Sequence, residues 1–318
     1  MTQQTPAQSR VIDPILTTHA QGYVRPGNVG RFLFPTAPVG MYGGNVIEFD
    51  KRSFRRYNSK RAPGSATKRI TFGHQGKPYA IVPSALEAVV PNENRNDAQA
   101  VPGFDLAADS VDGVLDTLEL EHECECADIA RDAGNYDNDH KVALTGQNRW
   151  AGSSADPTKD IATARTAIRE SIGIRPNTVI LSARSFEALE FSESIIDRIK
   201  YTGRDAVTAE ILAKLWNVAN VHVAEAVVAE GQDDDFGDVW GNDVIVAYVA
   251  PPTGGNRRSA ARPSYGYTYT ITGMPVVRQP YPDQNANSWI YPVAADRTPV
   301  LSGMLAGYLI QNAGAAPA

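Results

Sequence analysis

Only two cysteines occur among 318 residues, Cys124 and Cys126. Two apart in a helical pattern, they point to different sides and cannot pair with each other, so no disulfide framework is available and a reducing compartment suits the chain. No run of about 18 apolar residues exists to cross a bilayer, and the opening MTQQTPAQSRVIDP lacks the apolar core of a signal peptide. The expectation is a protein with no membrane association that stays in a cytoplasm. Glycine-rich phosphate loops of either standard spacing are missing, as are G-x-S-x-G and other nucleophile motifs. No helix-turn-helix, zinc-finger or RNA-binding signature is visible. The expected catalytic, cofactor-binding and metal-ligating residues are therefore none, and the protein is not expected to be an enzyme.

Three local clusters invite chemistry and are more simply structural. In EHECECAD, His122 and Cys126 share a helix face, but Cys124 points elsewhere and two ligands do not make a zinc site, so core packing is expected. EGQDDDFGDVWGND gathers Asp233, Asp234, Asp235 and Asp238 without the spacing or terminal Glu of an EF-hand, which favours a solvated acidic loop. YDNDHK sets Asp139 beside His140 with no nucleophile; His19, His74 and His222 are isolated. Trp150, Trp216, Trp240 and Trp289 read as core or interface anchors.

What is present is an ordinary folded composition, 42% apolar and 21% charged, with an uneven distribution of charge. The net charge is -6, yet residues 46–79 hold nine Lys or Arg against Glu48 and Asp50, a local +7 that leaves -13 on the remainder. Residues 1–43 carry Pro14, Pro26, Pro35 and Pro38 and no sustained periodicity, so they read as an extended arm lying on neighbours. From Val46, two β-prone runs, VIEFDKRSFRRY and TKRITFGHQGKPYAIV, flank the turn-rich NSKRAPGSA. Together they form a long hairpin, polar and basic on both faces, that must project.

Residues 104–132 give the strongest helical signal. Phe104, Ala108, Val111, Leu115, Leu118, His122, Cys126 and Ile129 form an apolar stripe, and Asp105, Asp109, Asp112, Asp116, Glu119 and Glu123 form an acidic one beside it. Gly113 interrupts the helix and is a candidate bend point. A second helix is predicted over DPTKDIATARTAIRESIG, with Asp156 as N-cap, Pro157 at the first turn and Gly173 at the end. The buried strand TVIL then runs through Ser182 into another helix, and TAEILAKLWNVANVHVAEAVV reads as helix then strand. DVWGNDVIVAYVAP is a further strand, followed by the insertion PPTGGNRRSAARP. The tail, YGYTYTITGMPVVRQPYP, NSWIYPVAADRTPVL and GMLAGYLIQNA, is strand-rich and must pair with earlier segments.

In this order the pieces resemble a tailed-bacteriophage major capsid (head) protein of the HK97 fold. The segments DPILTTHAQGYVRPGNVGRFLFPTAPV and PNTVILSARSFEAL carry the likeness most specifically, with AGYLI near the end. The resemblance implies an α+β, HK97-like capsid fold: an N-terminal arm over 1–43 and a long E-loop hairpin over 44–83. A P-domain would take 84–156 and 268–300, with its spine helix over 104–132, and an α/β A-domain 157–267 and 301–318. It also implies a homo-oligomer of hexamers and pentamers in an icosahedral shell that encloses double-stranded DNA. The location would be the virion, with assembly in a host bacterial cytoplasm. Because only about a dozen polar residues precede DPILTT, a separate scaffolding protein is expected, beside a portal and a cement protein. Some relatives crosslink through an E-loop lysine; Lys51, Lys60 and Lys68 are present, but nothing singles out a partner asparagine or a catalytic acid. The alternatives are an encapsulin-like shell storing an enzyme cargo and a nucleic-acid-binding protein.

A basic hairpin and an acidic helix in one chain are complementary where copies meet. The expected subunit-interface residues are Arg52, Arg55, Arg56, Arg61, Lys68, Arg69, Phe54 and Tyr57 on the hairpin, facing Asp109, Asp112, Asp116 and Glu119 of a neighbour's helix, with Phe32 and Phe72 adding apolar adhesion. Phosphate contact by the same cations, with bases stacked on Phe54, Tyr57 and Phe72, is the competing reading, and the acidic remainder of the chain opposes it.

Overall fold

The computed structural model describes residues 12–47, 60–61, 76–99, 105–199, 206–230, 235–251 and 264–317. In chain order the elements are α1 (Pro14–Gly22), α2 (Gly30–Leu33), β1 (Thr36–Val39), β2 (Gly43–Ile47), β3 (Gly76–Ala80), β4 (Ala85–Pro91), α3 (Asn92–Gln99) and α4 (Leu106–Arg131). They continue with β5 (Lys141–Ala143), α5 (Pro157–Ile172), β6 (Thr178–Ser182), α6 (Ala183–Glu190), α7 (Glu193–Ile199), α8 (Ala209–Trp216), β7 (Asn220–Ala224), β8 (Val227–Glu230), β9 (Asp235–Asp238) and β10 (Val244–Ala247). The last strands are β11 (Gly266–Ile271), β12 (Val276–Val277), β13 (Tyr281–Asp283), β14 (Ser288–Ala294), β15 (Arg297–Leu301) and β16 (Gly307–Gln311).

Among the described residues three larger sheets divide the work, beside the two-stranded pairs β2-β3 and β8-β9. The first runs β5-β16-β10-β6-β7, and its inner strands are apolar on both faces, as TVILS and VIVA require once α5 and α6 cover the sheet. Its core includes Trp150, Trp216 and Trp240, all at most 1% exposed. In the second sheet, β14 is central, with β4 on one side and β12 and β13 on the other; Val111, Val114, Leu115 and Leu118 of α4 pack on Val90, Tyr291 and Val293. The third, β1-β11-β15, joins residues 36–39 to the tail in parallel register, Thr36 opposite Thr268. Of the tail strands, β11, β14 and β16 pair with earlier ones, β1, β4, and β5 with β10, as their pattern predicts, whereas β12, β13 and β15 pair only within the tail.

At about 39 Å for 26 residues, α4 crosses from one core to another. Its first half packs in the second sheet's cluster, whereas Cys126, Ala127 and Ala130 belong to the first sheet's core. Asp105 caps it by accepting from the Ala107 and Ala108 amides. On α5, Asp156 caps the start, Pro157 opens the first turn and Gly173, at φ +71°, closes the end.

The first 43 residues depart from their expected form. Residues 14–22 are an α-helix capped by Asp13, with Pro14 in the first turn, and Leu33 and Phe34 are wholly buried in this chain's own core. The reading of residues 14–34 as an extended segment without packed elements is therefore corrected. Short helices separated by glycines give no sustained period, although the Asp13-Pro14 start is itself a local helix signal.

Candidate functional site

The acids of α4 fall on two sides of the helix with different fates. One side is occupied by the chain's own amino-terminal arm. His19 Nε2 lies 2.7 Å from Asp112 Oδ1, the Tyr23 hydroxyl donates to Asp116, and Arg25 Nη1 donates to the Asp116 carbonyl at 2.9 Å. The Asn28 side chain reaches the Glu119 carbonyl at 3.1 Å, and Arg297 pairs with the Glu119 carboxylate at 2.5 Å. Burial and the neighbouring Asp116 carboxylate push the Tyr23 phenol up to about 12, which keeps it a donor.

Glu123 closes this row from inside the protein. It is 1% exposed, although it belongs to the same acidic stripe as the partly exposed Asp112, Asp116 and Glu119. Its carboxylate accepts from the Val29 amide at 2.8 Å, from the Gly30 amide at 2.9 and 3.0 Å, and from Trp240 Nε1 at 2.7 Å. Three donors share the buried charge, which is the condition under which such burial is tolerated. Gly30 is required by this approach: a Cβ there would sit 2.8 Å from Glu123 Oε2 and 2.9 Å from Cys126 Cβ. The glycines of GNVGR hint at close backbone approach, but nothing local names the acid that receives the amides.

The other side of α4 is open. Asp109, Gly113, Thr117, Glu121 and Glu125 follow each other at intervals of four and are all exposed, as is Asp128 one turn on. Of the four expected interface acids, Asp109 lies on this open ridge. Asp112, Asp116 and Glu119 instead hold the arm and Arg297 of the same chain, while staying 32%, 48% and 26% exposed at their side chains.

The basic hairpin is described at its root. Gly43–Ile47 and Gly76–Ala80 pair antiparallel, Gly43 opposite Ala80 and Ile47 opposite Gly76. Arg52, Phe54, Arg55, Arg56, Tyr57, Lys68, Arg69 and Phe72 lie outside the described residues; Arg61 is described and exposed. Beside the root, Met41 and Val82 are 72% and 66% exposed, and Val89 on β4 is 58% exposed. Phe32 is not available to a neighbour as expected, because its ring stacks on His222 of its own chain with centroids 3.9 Å apart.

The remaining chemical candidates are packed. His122 and Cys126 are buried, with His122 Nε2 3.6 Å from the sulfur and 3.2 Å from Thr268 Oγ1. His140 bridges the Gly307 carbonyl and Ser171 Oγ at 2.9 and 2.8 Å. Asp238 pairs with Arg184 at 2.7 Å. Trp289 is the one tryptophan only partly buried, and Arg95 lies 4.8 Å over its ring. Among the described residues no group of three or more His, Cys, Asp or Glu is placed to hold a metal, and no helix is long and apolar enough to cross a membrane.

A family model described as phage major capsid protein E matches residues 135–293. The major capsid protein of Burkholderia phage BcepMu is 32% identical over 303 residues, covering 95% of this chain and 97% of that protein. A phage-related protein of Bordetella bronchiseptica RB50, known from its crystal structure, is 52% identical with a TM-score of 0.84, over 98% of this chain and 100% of that one. The SrpI encapsulin of Synechococcus elongatus PCC 7942, 12% identical over 98% of this chain and 92% of that one, has a TM-score of 0.54 and so shares the fold alone. The architecture is the HK97-like one common to phage heads and encapsulins. By family match and by identity along nearly its whole length, the chain belongs to the phage major capsid protein E family.

Proposed function

We propose that copies of this chain close an icosahedral shell of hexamers and pentamers around packaged double-stranded DNA. In that shell the basic segment between β2 and β3 of one copy lies on the open acidic ridge of a neighbour's α4. The observation that carries the reading is the contrast between the two sides of that helix: one is filled by the chain's own arm, the other exposes Asp109, Glu121, Glu125 and Asp128. The 28 residues between the root strands hold eight of the chain's Lys and Arg, so charge complementary to the ridge is present in the same chain. Exposed pairs contribute only about 0–1 kcal/mol each, so they set register, and exposed apolar side chains such as Met41 and Val82 beside the root supply adhesion.

The same reading assigns 44–83 as the E-loop and α4 as the spine of a P-domain, and gives the first sheet with its helices to an A-domain. A scaffolding protein, a portal and a cement protein are its further partners, and assembly takes place in a host bacterial cytoplasm. A body net negative by about 13 outside the basic segment suits DNA held as cargo rather than bound to the wall.

Negative-stain electron microscopy of the purified protein in low and moderate salt tests it. Closed shells, tubes or isolated hexamers and pentamers are the expected result. A compact monomer in every condition, with the family's scaffold supplied, would overturn it.

A further inference from the structure

An open groove of about 1010 Å³ lies at one end of the first sheet, walled by Trp150, Gly152, Glu187, Phe191, Glu193 and Asp197. Two features separate it from an ordinary surface depression. Phe191 stands on its rim 81% exposed, the most exposed large apolar side chain among the described residues. Its charge is also one-sided: Arg184 is taken by Asp238 at 2.7 Å, and Glu187, Glu193 and Asp197 form no ion pair among the described residues. A basic segment with small apolar residues is the complementary occupant.

The chain contains such a segment. Residues 252–263, PTGGNRRSAARP, carry Arg257, Arg258 and Arg262, two alanines and no acid. The segment's two ends and the groove lie at opposite ends of β10. The Asn242 carbonyl, just before β10, accepts from the Gly314 amide and from Ser185 Oγ, which fixes the groove there. Beyond the other end, the Ala250 amide donates to Ser264 Oγ at 3.1 Å, where the segment departs and returns. From Asp243 to Ala250 the path is about 23 Å, and β10 is buried on both faces, so a route over the surface is longer. Twelve residues tied at both ends extend at most about 20 Å.

We infer that the groove receives residues 252–263 of a second copy, an inference that rests on the shell reading above. Because each copy offers the groove at one end of β10 and the segment at the other, the contact is head-to-tail and repeats around a ring. The salt-sensitive part is the arginine–carboxylate contact; Phe191 against the alanines and Pro263 is the part salt does not weaken.

The test uses the full chain under assembly conditions. Glu193→Cys and Arg258→Cys are made in separately tagged copies, mixed and mildly oxidised, with the wild type as control for Cys124. A disulfide joining the two tags is expected. In parallel, Glu193→Arg with Asp197→Arg is expected to raise the protein concentration needed for assembly about tenfold, and adding Arg257→Glu with Arg258→Glu is expected to restore it. Particles that form without the mixed disulfide would overturn this inference and leave the shell reading standing. Wild-type protein that forms no particles with scaffold supplied would remove both.

Discussion

Trp240 Nε1 donates to Glu123 Oε1 at 2.7 Å, tying the turn before β10 to the middle of α4, while the same carboxylate holds the Val29 and Gly30 amides of the arm. One buried side chain therefore joins three parts of the subunit that are more than 90 residues apart in sequence. The arrangement couples arm position to the packing of the first sheet's core.

Glu123→Ala should destabilise the subunit by about 3 kcal/mol or more, because three buried donors lose their acceptor together. Glu123→Gln keeps the size and one accepting oxygen but turns an amide NH2 toward other donors, so a smaller loss is expected. Urea denaturation of unassembled subunits measures both, and an unchanged midpoint for the alanine variant would refute the role assigned to Glu123.

Asp116→Asn should loosen the arm without unfolding the core. Tyr23 and Arg25 both lose a charged acceptor, worth about 1–2 kcal/mol, and opening of residues 14–25 should become about tenfold more frequent. Trypsin cleavage after Arg25 and amide exchange in α1 report this directly. Equal rates in variant and wild type would show that the arm is held by other contacts.

These two residues also mark where the sequence was legible. Periodicity placed α4 within two residues at each end, and cap chemistry placed α5, because both are long enough for local signals to agree. The acidic stripe was visible as composition. Its division into a bonded side and an open ridge was not, since that depends on where the arm docks about 90 residues away. Glu123 looks like its neighbours in the pattern; only the tertiary approach of Gly30 and Trp240 makes it a core residue. The arm's short helices lacked a period to read, though their burial decides which acids a neighbour can reach.

Acid should weaken the folded subunit through two imidazoles. Burial holds His122 below the usual histidine range, and burial with the nearby Arg31 guanidinium does the same at His222. The fold keeps both neutral, so as pH falls below about 6.5 the unfolded chain takes up protons first. Stability present above that pH is lost below it, at up to about 1.4 kcal/mol per pH unit for each group, until the folded-state imidazoles titrate too. Solvent screening makes the half-buried His222 the smaller contributor. His222→Phe, which keeps the stack on Phe32, should flatten the slope of denaturation midpoint against pH between 6.5 and 5; a slope identical to wild type would exclude His222 from the effect.

Gly113→Ala should stabilise α4 by about 1 kcal/mol. The position is exposed in a continuous helix, and a Cβ there meets nothing within 4 Å. The midpoint of denaturation reads the gain. Assembly and shell expansion that proceed unchanged in this variant would show that bending at Gly113 plays no part in either, whereas a more stable subunit whose shells fail to expand would assign the glycine to that motion.

The open ridge makes a sharper demand on charge reversal than the acidic stripe as a whole. Arg55→Glu with Arg56→Glu should block assembly if the basic segment lies on a neighbour's α4. Rescue by Asp109→Arg with Glu121→Arg should then succeed, because both positions are exposed and neither holds the arm. Rescue by Asp112→Arg with Asp116→Arg should be poorer: those substitutions break the His19, Tyr23 and Arg25 contacts within the subunit while they restore complementarity between subunits. Particle yield by electron microscopy and sedimentation ranks the two pairs. Full assembly of the arginine double variant would remove the contact altogether. A better rescue from Asp112 and Asp116 would mean that the arm leaves the helix when copies meet, and that the acids it covers in the isolated subunit are the ones the shell uses.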